Sequence, residues 1–126
     1  MISHSAEIAL LRFIVRQRRL TSKSRLACHS NFSFDASVEN LYPALTTGGT
    51  MFVVPKEIRK DIDLMYRFII DNSITGGCFT TRFGELLLQQ YPDLPADFIT
   101  VAGERLTAVP ECSARVGNAY GPTECT

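Results

Sequence analysis

Short apolar, β-prone segments alternate with amphipathic helical segments along most of this chain, and that alternation constrains its fold more than any other feature. A first helix is predicted over residues 5–19, and two strands end the series. The predicted strands are 26–32, 50–54, 74–79, 98–102 and 115–119. Strands joined by helices of 10–12 residues form βαβ units, whose sheets are mostly parallel. The sequence therefore predicts an α/β fold with a mostly parallel sheet flanked by helices.

Apolar residues at helical spacing predict which helix faces point inward. The first helix has Ile8, Leu11 and Val15 on one face. The second has Val38, Leu41, Tyr42 and Leu45 on its inward face. The inward residues of the third are Ile62, Met65, Phe68 and Ile69, and those of the fourth are Phe83, Leu86 and Leu87. Side-chain oxygens at helix starts predict N-caps, and these are Asp35 or Ser37, Asp61 and Thr81. Gly48-Gly49 is expected to end the second of the four predicted helices.

Composition excludes several classes of protein. The 126 residues suffice for one domain or for part of a larger one. Lys+Arg and Asp+Glu are both 13, which argues against a nucleic-acid partner. No apolar run approaches the roughly 20 residues that span a bilayer, so no membrane partner is expected. The four cysteines are far apart in sequence and form no CxxC pair, which predicts reduced thiols and a cytoplasmic protein.

The first predicted helix is basic, with Arg12, Arg16, Arg18 and Arg19. We interpret these arginines as a solvated helix face. Contact with phosphates or with an acidic partner is the alternative.

Ligands of parallel sheets bind beyond the carboxyl ends of the strands, so the loops there are the candidate site. Asp35 follows the first strand, where a carboxylate can pair with an ammonium group or cap a helix. Glu39 lies one turn later on the same face. Two carboxylates at that spacing repel each other unless a cation lies between them or one points to water. We expect Glu39 to be solvent-exposed.

The loops after the last two strands carry different chemistry. Gly103 begins the Gly-Glu-Arg turn after the fourth strand and permits close backbone approach to a flat ligand. The last loop offers the aromatic face of Tyr120, the hydroxyl of Thr123 and the hard oxygen ligand of Glu124. These groups suit stacking, phosphate binding and Mg²⁺ ligation. The alternative is a plain Gly-Pro turn after a strand.

Three segments together resemble the amino-acid adenylation domains of nonribosomal peptide synthetases, in the acyl-adenylate-forming superfamily. They are Phe-Ser-Phe-Asp-Ala-Ser-Val at 32–38, Ala-Gly-Glu-Arg-Leu at 102–106 and Asn-Ala-Tyr-Gly-Pro-Thr-Glu at 118–124. The resemblance implies part of the large N-terminal subdomain of such an enzyme. It implies activation of an amino acid with ATP and Mg²⁺, release of pyrophosphate, and transfer to the phosphopantetheine thiol of a carrier domain.

The resemblance also implies roles for individual residues. Asp35 pairs with the α-ammonium group of the substrate, Thr123 contacts phosphate, and Glu124 holds Mg²⁺; Thr123 and Glu124 are the predicted catalytic residues. The residues matching the nucleotide site are Gly103, Glu104, Arg105, Asn118, Ala119, Tyr120, Gly121 and Thr123. The residues matching the substrate side-chain pocket are Ala36, Glu39, Cys78, Thr100, Ala102 and Ala119.

Glu39 stands where the family commonly has an aromatic or apolar residue. A buried Glu39 requires a hydrogen-bonding or cationic partner. We therefore predict a substrate with a polar or basic side chain.

The resemblance covers residues 1–126 as a single fragment of an adenylation domain. The family's phosphate loop would precede Met1, and its mobile C-terminal subdomain would follow Thr126. We expect the fragment alone to be inactive and capable of self-association. The alternatives are a D-alanine–carrier protein ligase or another acyl-adenylate ligase, a non-catalytic nucleotide-binding or interaction remnant, and a plain Rossmann-type domain, whose glycine fingerprint is missing.

Overall fold

A five-stranded parallel sheet organises the computed structural model, which describes residues 2–109 and 111–123. The strands are β1 (Arg25–Cys28), β2 (Thr50–Val53), β3 (Gly76–Thr80), β4 (Phe98–Ala102) and β5 (Arg115–Ala119), in the order β2-β1-β3-β4-β5. The predicted α/β fold is confirmed, and β4 and β5 have the predicted bounds. The first strand is shorter than predicted, since it ends at Cys28 rather than at residue 32.

Four helices flank the sheet: α1 (His4–Arg18), α2 (Val38–Thr47), α3 (Ile62–Asp71) and α4 (Thr81–Gln90). Two predicted boundaries are confirmed. The side chain of Asp61 accepts a hydrogen bond from the Leu64 N–H at 2.9 Å and so caps α3. Gly48 ends α2 in the left-handed region, at φ 73°, where glycine is free of steric penalty.

The predicted cap at Thr81 is wrong, and the predicted cap of α2 is right only in position. Ser37 occupies the N-cap position of α2, but its side chain makes no capping hydrogen bond. Asp35–Ser37 forms a short 3-10 turn before α2, and the Asp35 carboxylate accepts from the Ala36 N–H at 2.7 Å. The hydroxyl of Ser37 donates to the carbonyl of Phe34 at 2.8 Å. Thr80 occupies the N-cap position of α4, and Thr81 is the first residue of the helix.

The strand register divides the side chains between two faces, because successive residues of a strand point to opposite sides. Leu26, Gly76 and Phe98 are paired neighbours on one face. Leu26 and Phe98 pack there with Ile14 of α1 and Ala44 of α2. The opposite face is covered by α3 and α4, and its buried cluster includes Ala27, Phe79, Ile99, Val101, Met65, Ile69, Leu87 and Leu88.

The predicted inward face is confirmed for α3, partly confirmed for α1, where Leu11 is buried and Val15 packs against the core, and wrong for α2. The buried residues of α1 are Leu11, Ile14 and Arg18, whereas Ile8 is 48% exposed. The buried residues of α2 are Asn40, Pro43 and Ala44, whereas Tyr42 and Leu45 are exposed. The spacing of apolar residues therefore did not reveal that Arg18 of α1 and Asn40 of α2 are buried. In α4, Leu87 is buried as predicted and Leu86 is exposed.

An aromatic contact joins α3 to the end of α4. The rings of Tyr66 and Tyr91 are stacked, with centroids 3.8 Å apart. The Tyr91 hydroxyl donates to Asp63 at 2.6 Å, which holds the second ring in place. Within residues 2–109 and 111–123, no helix has the length and apolar character needed to cross a membrane.

Candidate active site

Asp35 and Thr123 meet at the carboxyl edge of the sheet. Asp35 is exposed on the turn before α2, and the hydroxyl of Thr123 donates to its Oδ2 at 2.5 Å, although the two residues are 88 positions apart. The fold thus brings the loop after β1 into contact with the loop after β5. Glu124, the predicted metal ligand, lies outside the residues that the structure describes.

The register gathers the predicted pocket residues on the face that α2 covers. Cys78 pairs with Thr100, and one step nearer the carboxyl ends Ala102 pairs with Ala119. Positions two residues apart in a strand share a face, so all four lie on one side of the sheet. Cys78 and Thr100 are buried, and the two alanines are partly buried. Ala36 lies in the turn that leads into α2 and is also partly buried.

The Cys78 thiol lies within electrostatic reach of both acids of the site. Its pKa is raised to about 12, first because burial disfavours the thiolate and next because of the negative charge of Glu39. Arg18 opposes that increase, and Asp35 adds slightly to it. The thiol is therefore neutral at pH 7 and behaves as a small buried apolar group.

The expectation that Glu39 is solvent-exposed is wrong. The carboxylate of Glu39 is ion-paired with Arg18, and the two side chains are 22% and 8% exposed. Arg18 also donates to the Glu39 carbonyl at 3.0 Å, and its guanidinium lies 5.5 Å from the centroid of the Phe98 ring. The cationic partner that a partly buried Glu39 requires is therefore supplied by the chain itself. The sequence signal for the burial of Arg18 was its helical spacing from Leu11 and Ile14. The interpretation of the arginines as a solvated helix face is wrong for Arg18.

Four of the predicted nucleotide residues line one cavity of about 370 Å³, and they are Glu104, Arg105, Asn118 and Tyr120. Leu106 completes the lining, in which Gly103, Ala119, Gly121 and Thr123 do not take part. That volume falls in the range of small-molecule sites. Tyr120 is 94% exposed, which leaves its aromatic face available for stacking.

Gly103 permits the turn at one side of this cavity. Its φ is 101°, a region that residues with a Cβ rarely adopt. Across the turn, the side-chain amide of Asn118 donates to the Glu104 carbonyl at 3.4 Å. Gly121 follows Tyr120 and is exposed.

Thr81 is a site-supporting residue that the sequence did not reveal. It is 2% exposed, and its hydroxyl donates to the Glu104 carbonyl at 2.9 Å and accepts from the Glu104 N–H at 3.3 Å. The first residue of α4 thereby fixes the Gly103–Glu104 turn. In the sequence Thr81 was indistinguishable from an ordinary helix cap.

His29 follows β1 at the same edge and is partly buried. A ring nitrogen lies 2.7 Å from the carbonyl of Arg59, and the ring contacts Phe79 and Phe83. Burial lowers the pKa of His29, against the opposing effect of the Arg59 carbonyl, so the neutral ring is favoured. Across the described ranges, His, Cys, Asp and Glu side chains form no group of three or more that suits a metal ion.

Known proteins match most or all of this chain in sequence. The chain is 29% identical over 126 residues to bacitracin synthase 1 of Bacillus licheniformis, covering 100% of the chain and 2% of that protein. It is 33% identical over 109 residues to the D-alanine–D-alanyl carrier protein ligase of Lacticaseibacillus casei, covering 75% of the chain and 21% of the ligase. The chain therefore spans only a small part of the curated relatives it matches.

A solved structure has the same fold. The Vibrio cholerae adenylation domain AlmE, in complex with glycyl-adenosine-5′-phosphate, superposes with a TM-score of 0.82 at 25% identity, over 99% of this chain and 25% of that one. The family profile described as AMP-binding enzyme matches residues 1–126. The chain therefore belongs to the AMP-binding enzyme family.

Proposed function

We propose that this chain is part of an ATP-dependent amino-acid-activating domain of nonribosomal peptide synthesis. The carboxylate of the amino acid attacks the α-phosphate of ATP, which forms aminoacyl-AMP and releases pyrophosphate. The aminoacyl group then passes to the phosphopantetheine thiol of a carrier protein, with AMP leaving. The observation that carries the proposal is the contact between Asp35 and Thr123, because it joins an acid suited to an amine with a hydroxyl suited to phosphate.

Asp35 is the proposed ligand of the substrate's α-ammonium group. Its carboxylate is exposed at the carboxyl edge of the sheet. A charge-assisted hydrogen bond to ammonium is stronger than one between neutral groups. This anchor would present the amino acid's carboxylate toward Thr123, and the side chain toward Ala36, Cys78 and Thr100.

The nucleotide is proposed to occupy the cavity lined by Glu104, Arg105, Asn118 and Tyr120. Its aromatic wall suits stacking of a base, and the turn at Gly103 lets the backbone approach a flat ring closely. Ala119 and Gly121 flank Tyr120 in sequence and complete the proposed binding loop. Thr123, next to Asp35, is then positioned for the phosphate end.

Mg²⁺ would be held by Glu124, since a carboxylate is a hard oxygen ligand that suits this cation. When bound, the ion would offset charge on the departing pyrophosphate. Thr123 would hold the phosphate by its hydroxyl.

The relatives support the amino-acid substrate and the carrier partner. AlmE is bound to glycyl-adenosine-5′-phosphate, which is an aminoacyl adenylate. A D-alanyl carrier protein is named in the ligase from Lacticaseibacillus casei. That ligase also supports the second candidate, a D-alanine–carrier protein ligase, because Asp35 suits any substrate with a free amine.

Further elements of the proposal concern the setting of the protein. The described cysteines Cys28, Cys78 and Cys112 are free thiols, which supports a reducing, cytoplasmic compartment. Exposed apolar side chains such as Phe13 and Leu45 support self-association of residues 1–126 when isolated.

The test is ATP–pyrophosphate exchange by the complete protein containing this chain, against a panel of amino acids including D-alanine. We expect exchange that depends on one or a few amino acids. Asp35→Asn is expected to lower kcat/KM for the amino acid about 100-fold without weakening the binding of a non-hydrolysable ATP analogue. The exposed residue Asp71 provides a matched control, Asp71→Asn, for which no change is expected.

Absence of amino-acid-dependent exchange, with retained nucleotide binding, would overturn the proposal in favour of a non-catalytic remnant. An Asp35→Asn variant as active as wild type would remove the assigned role of Asp35. Exchange with D-alanine alone would select the second candidate.

A further inference from the structure

The ion pair between Arg18 and Glu39 is not explained by amine or nucleotide binding. We propose that Arg18 is a specificity-determining residue that acts through Glu39, so that the amino-acid pocket selects an uncharged side chain over a cationic one. This inference rests on the proposed function, because it concerns the pocket of that site.

Arg18 is held by contacts on several sides. Its guanidinium pairs with the Glu39 carboxylate, donates to the Glu39 carbonyl at 3.0 Å and lies over the Phe98 ring. Its own backbone carbonyl accepts a hydrogen bond from Arg115 of β5 at 3.2 Å. With only 8% of the side chain exposed, Arg18 differs from a mobile surface arginine, whose ion pairs contribute little.

The pair lies beside the small side chains of the proposed pocket. Arg18 lies over the ring of Phe98, which precedes Thr100 by two residues on the same sheet face. Both charges of the pair also act on Cys78, the register neighbour of Thr100. Thr100, Ala102 and Ala119 are small residues on that same sheet face. The ion pair therefore places two charged groups at this wall of the pocket.

The charge of that wall depends on Arg18. A lone Glu39 in a partly buried pocket would attract a cationic substrate side chain, because charge interactions strengthen away from bulk water. Arg18 cancels that charge. A substrate ammonium or guanidinium at Glu39 would compete with Arg18 for the carboxylate, and the guanidinium of Arg18 stays charged at any physiological pH.

Displacement leaves a buried cation unpaired, which is strongly unfavourable. An uncharged substrate side chain leaves the pair intact. Discrimination of this kind uses a penalty against the wrong ligand rather than a new contact with the right one. The pocket is thus polar at one wall but carries no net charge there.

The experiment compares kcat/KM for uncharged amino acids with kcat/KM for ornithine, lysine and arginine, in pyrophosphate exchange by the complete protein. We expect wild type to favour an uncharged amino acid by at least tenfold. Arg18→Met keeps the apolar stem and exposes the Glu39 charge, so the ratio of cationic to uncharged kcat/KM should rise about tenfold, mainly through KM. Glu39→Gln leaves Arg18 cationic and should lower that ratio.

Two further variants separate specificity from stability. Arg18→Lys keeps the positive charge and is expected to retain the wild-type ratio within about threefold. Arg16→Met removes an exposed arginine of the same helix and should leave the ratio unchanged. Melting temperatures identify any variant that does not fold. If Arg18→Met does not fold, the inference is tested by kcat/KM over the amino-acid panel for wild type and for Glu39→Gln.

A wild-type preference for cationic amino acids overturns the inference. The inference is also overturned if Arg18→Met has the wild-type ratio of cationic to uncharged kcat/KM. If Arg18→Met does not fold, the same ratio in Glu39→Gln overturns it. Wild type that exchanges with no amino acid overturns the proposed function instead, and this result is distinct from active enzyme with unchanged selectivity.

Discussion

The two faces of the sheet are filled by different kinds of side chain. On the face covered by α3 and α4, the strands contribute Phe79, Ile99 and Val101, each at most 2% exposed. On the face covered by α1 and α2, β3 and β4 contribute Cys78 and Thr100, and the helices bury Arg18 and Asn40. The first face resembles an ordinary apolar core, whereas the second contains polar groups that each need a partner.

This difference teaches how the molecule separates stability from recognition. Apolar burial on one side supplies the main stabilisation of the fold. The other side has small side chains near the carboxyl ends of the strands, which leave space for a ligand, and charged groups that can discriminate between ligands. Natural proteins depart from ideal packing mainly where function requires it.

The largest expected effect tests the apolar face. Leu87 of α4 is 0% exposed, so Leu87→Ala should lower the free energy of unfolding by about 3 kcal/mol through lost burial and a cavity. The matched control is Leu45→Ala, since Leu45 is 67% exposed and its loss should change stability by less than about 0.5 kcal/mol. Denaturant unfolding measures both. Equal losses would contradict the comparison of the two faces.

A smaller loss of stability is expected when Thr81, the first residue of α4, loses its contact with the Gly103–Glu104 turn of the site. Thr81→Val removes both hydrogen bonds to the Glu104 backbone and should cost about 1.5 kcal/mol, with weaker binding of an ATP analogue because the turn loosens. Thr80→Val changes the neighbouring exposed threonine and should leave nucleotide affinity unchanged. Calorimetric titration of the complete protein measures the affinity; equal affinities for both variants would show that Thr81 does not support the cavity.

The smallest effect tests the polar face. Asn40 is 0% exposed, and its Oδ1 accepts no hydrogen bond from any residue that the structure describes. Asn40→Leu removes that unpaired group at similar size and should raise the free energy of unfolding by about 1 kcal/mol. The Nδ2 of Asn40 donates to the Ala36 carbonyl at 3.4 Å, so a loss of stability would show that this bond outweighs the unpaired Oδ1.

Much of the fold and the convergence of the site loops could be predicted from the sequence. The strands β4 and β5 were placed correctly, since each is a short β-prone segment. The site loops converge because parallel strands end at the same edge, which brings Asp35 to Thr123. The first strand was drawn too long because the residues after Cys28 include Phe32, which also has β propensity.

What could not be predicted depends on contacts between residues far apart in the chain. The buried face of α2 was misplaced and that of α1 was only partly predicted, because periodicity assumes that apolar residues point inward, whereas Arg18 and Asn40 are buried here. Arg18 finds its partner 21 positions away, and Thr81 finds Glu104 at a separation of 23. Neither pairing leaves a local pattern, because it exists only once the sheet has formed.

The stacked pair of Tyr66 and Tyr91 gives this chain a built-in optical reporter. The sequence contains 4 tyrosines and no tryptophan, so tyrosine absorbance and emission from these residues are not masked by indole. Parallel rings 3.8 Å apart couple their electronic transitions, which gives a near-ultraviolet circular dichroism signal that disappears when the rings separate. Detachment of α4 from α3 can therefore be followed spectroscopically without attaching a dye.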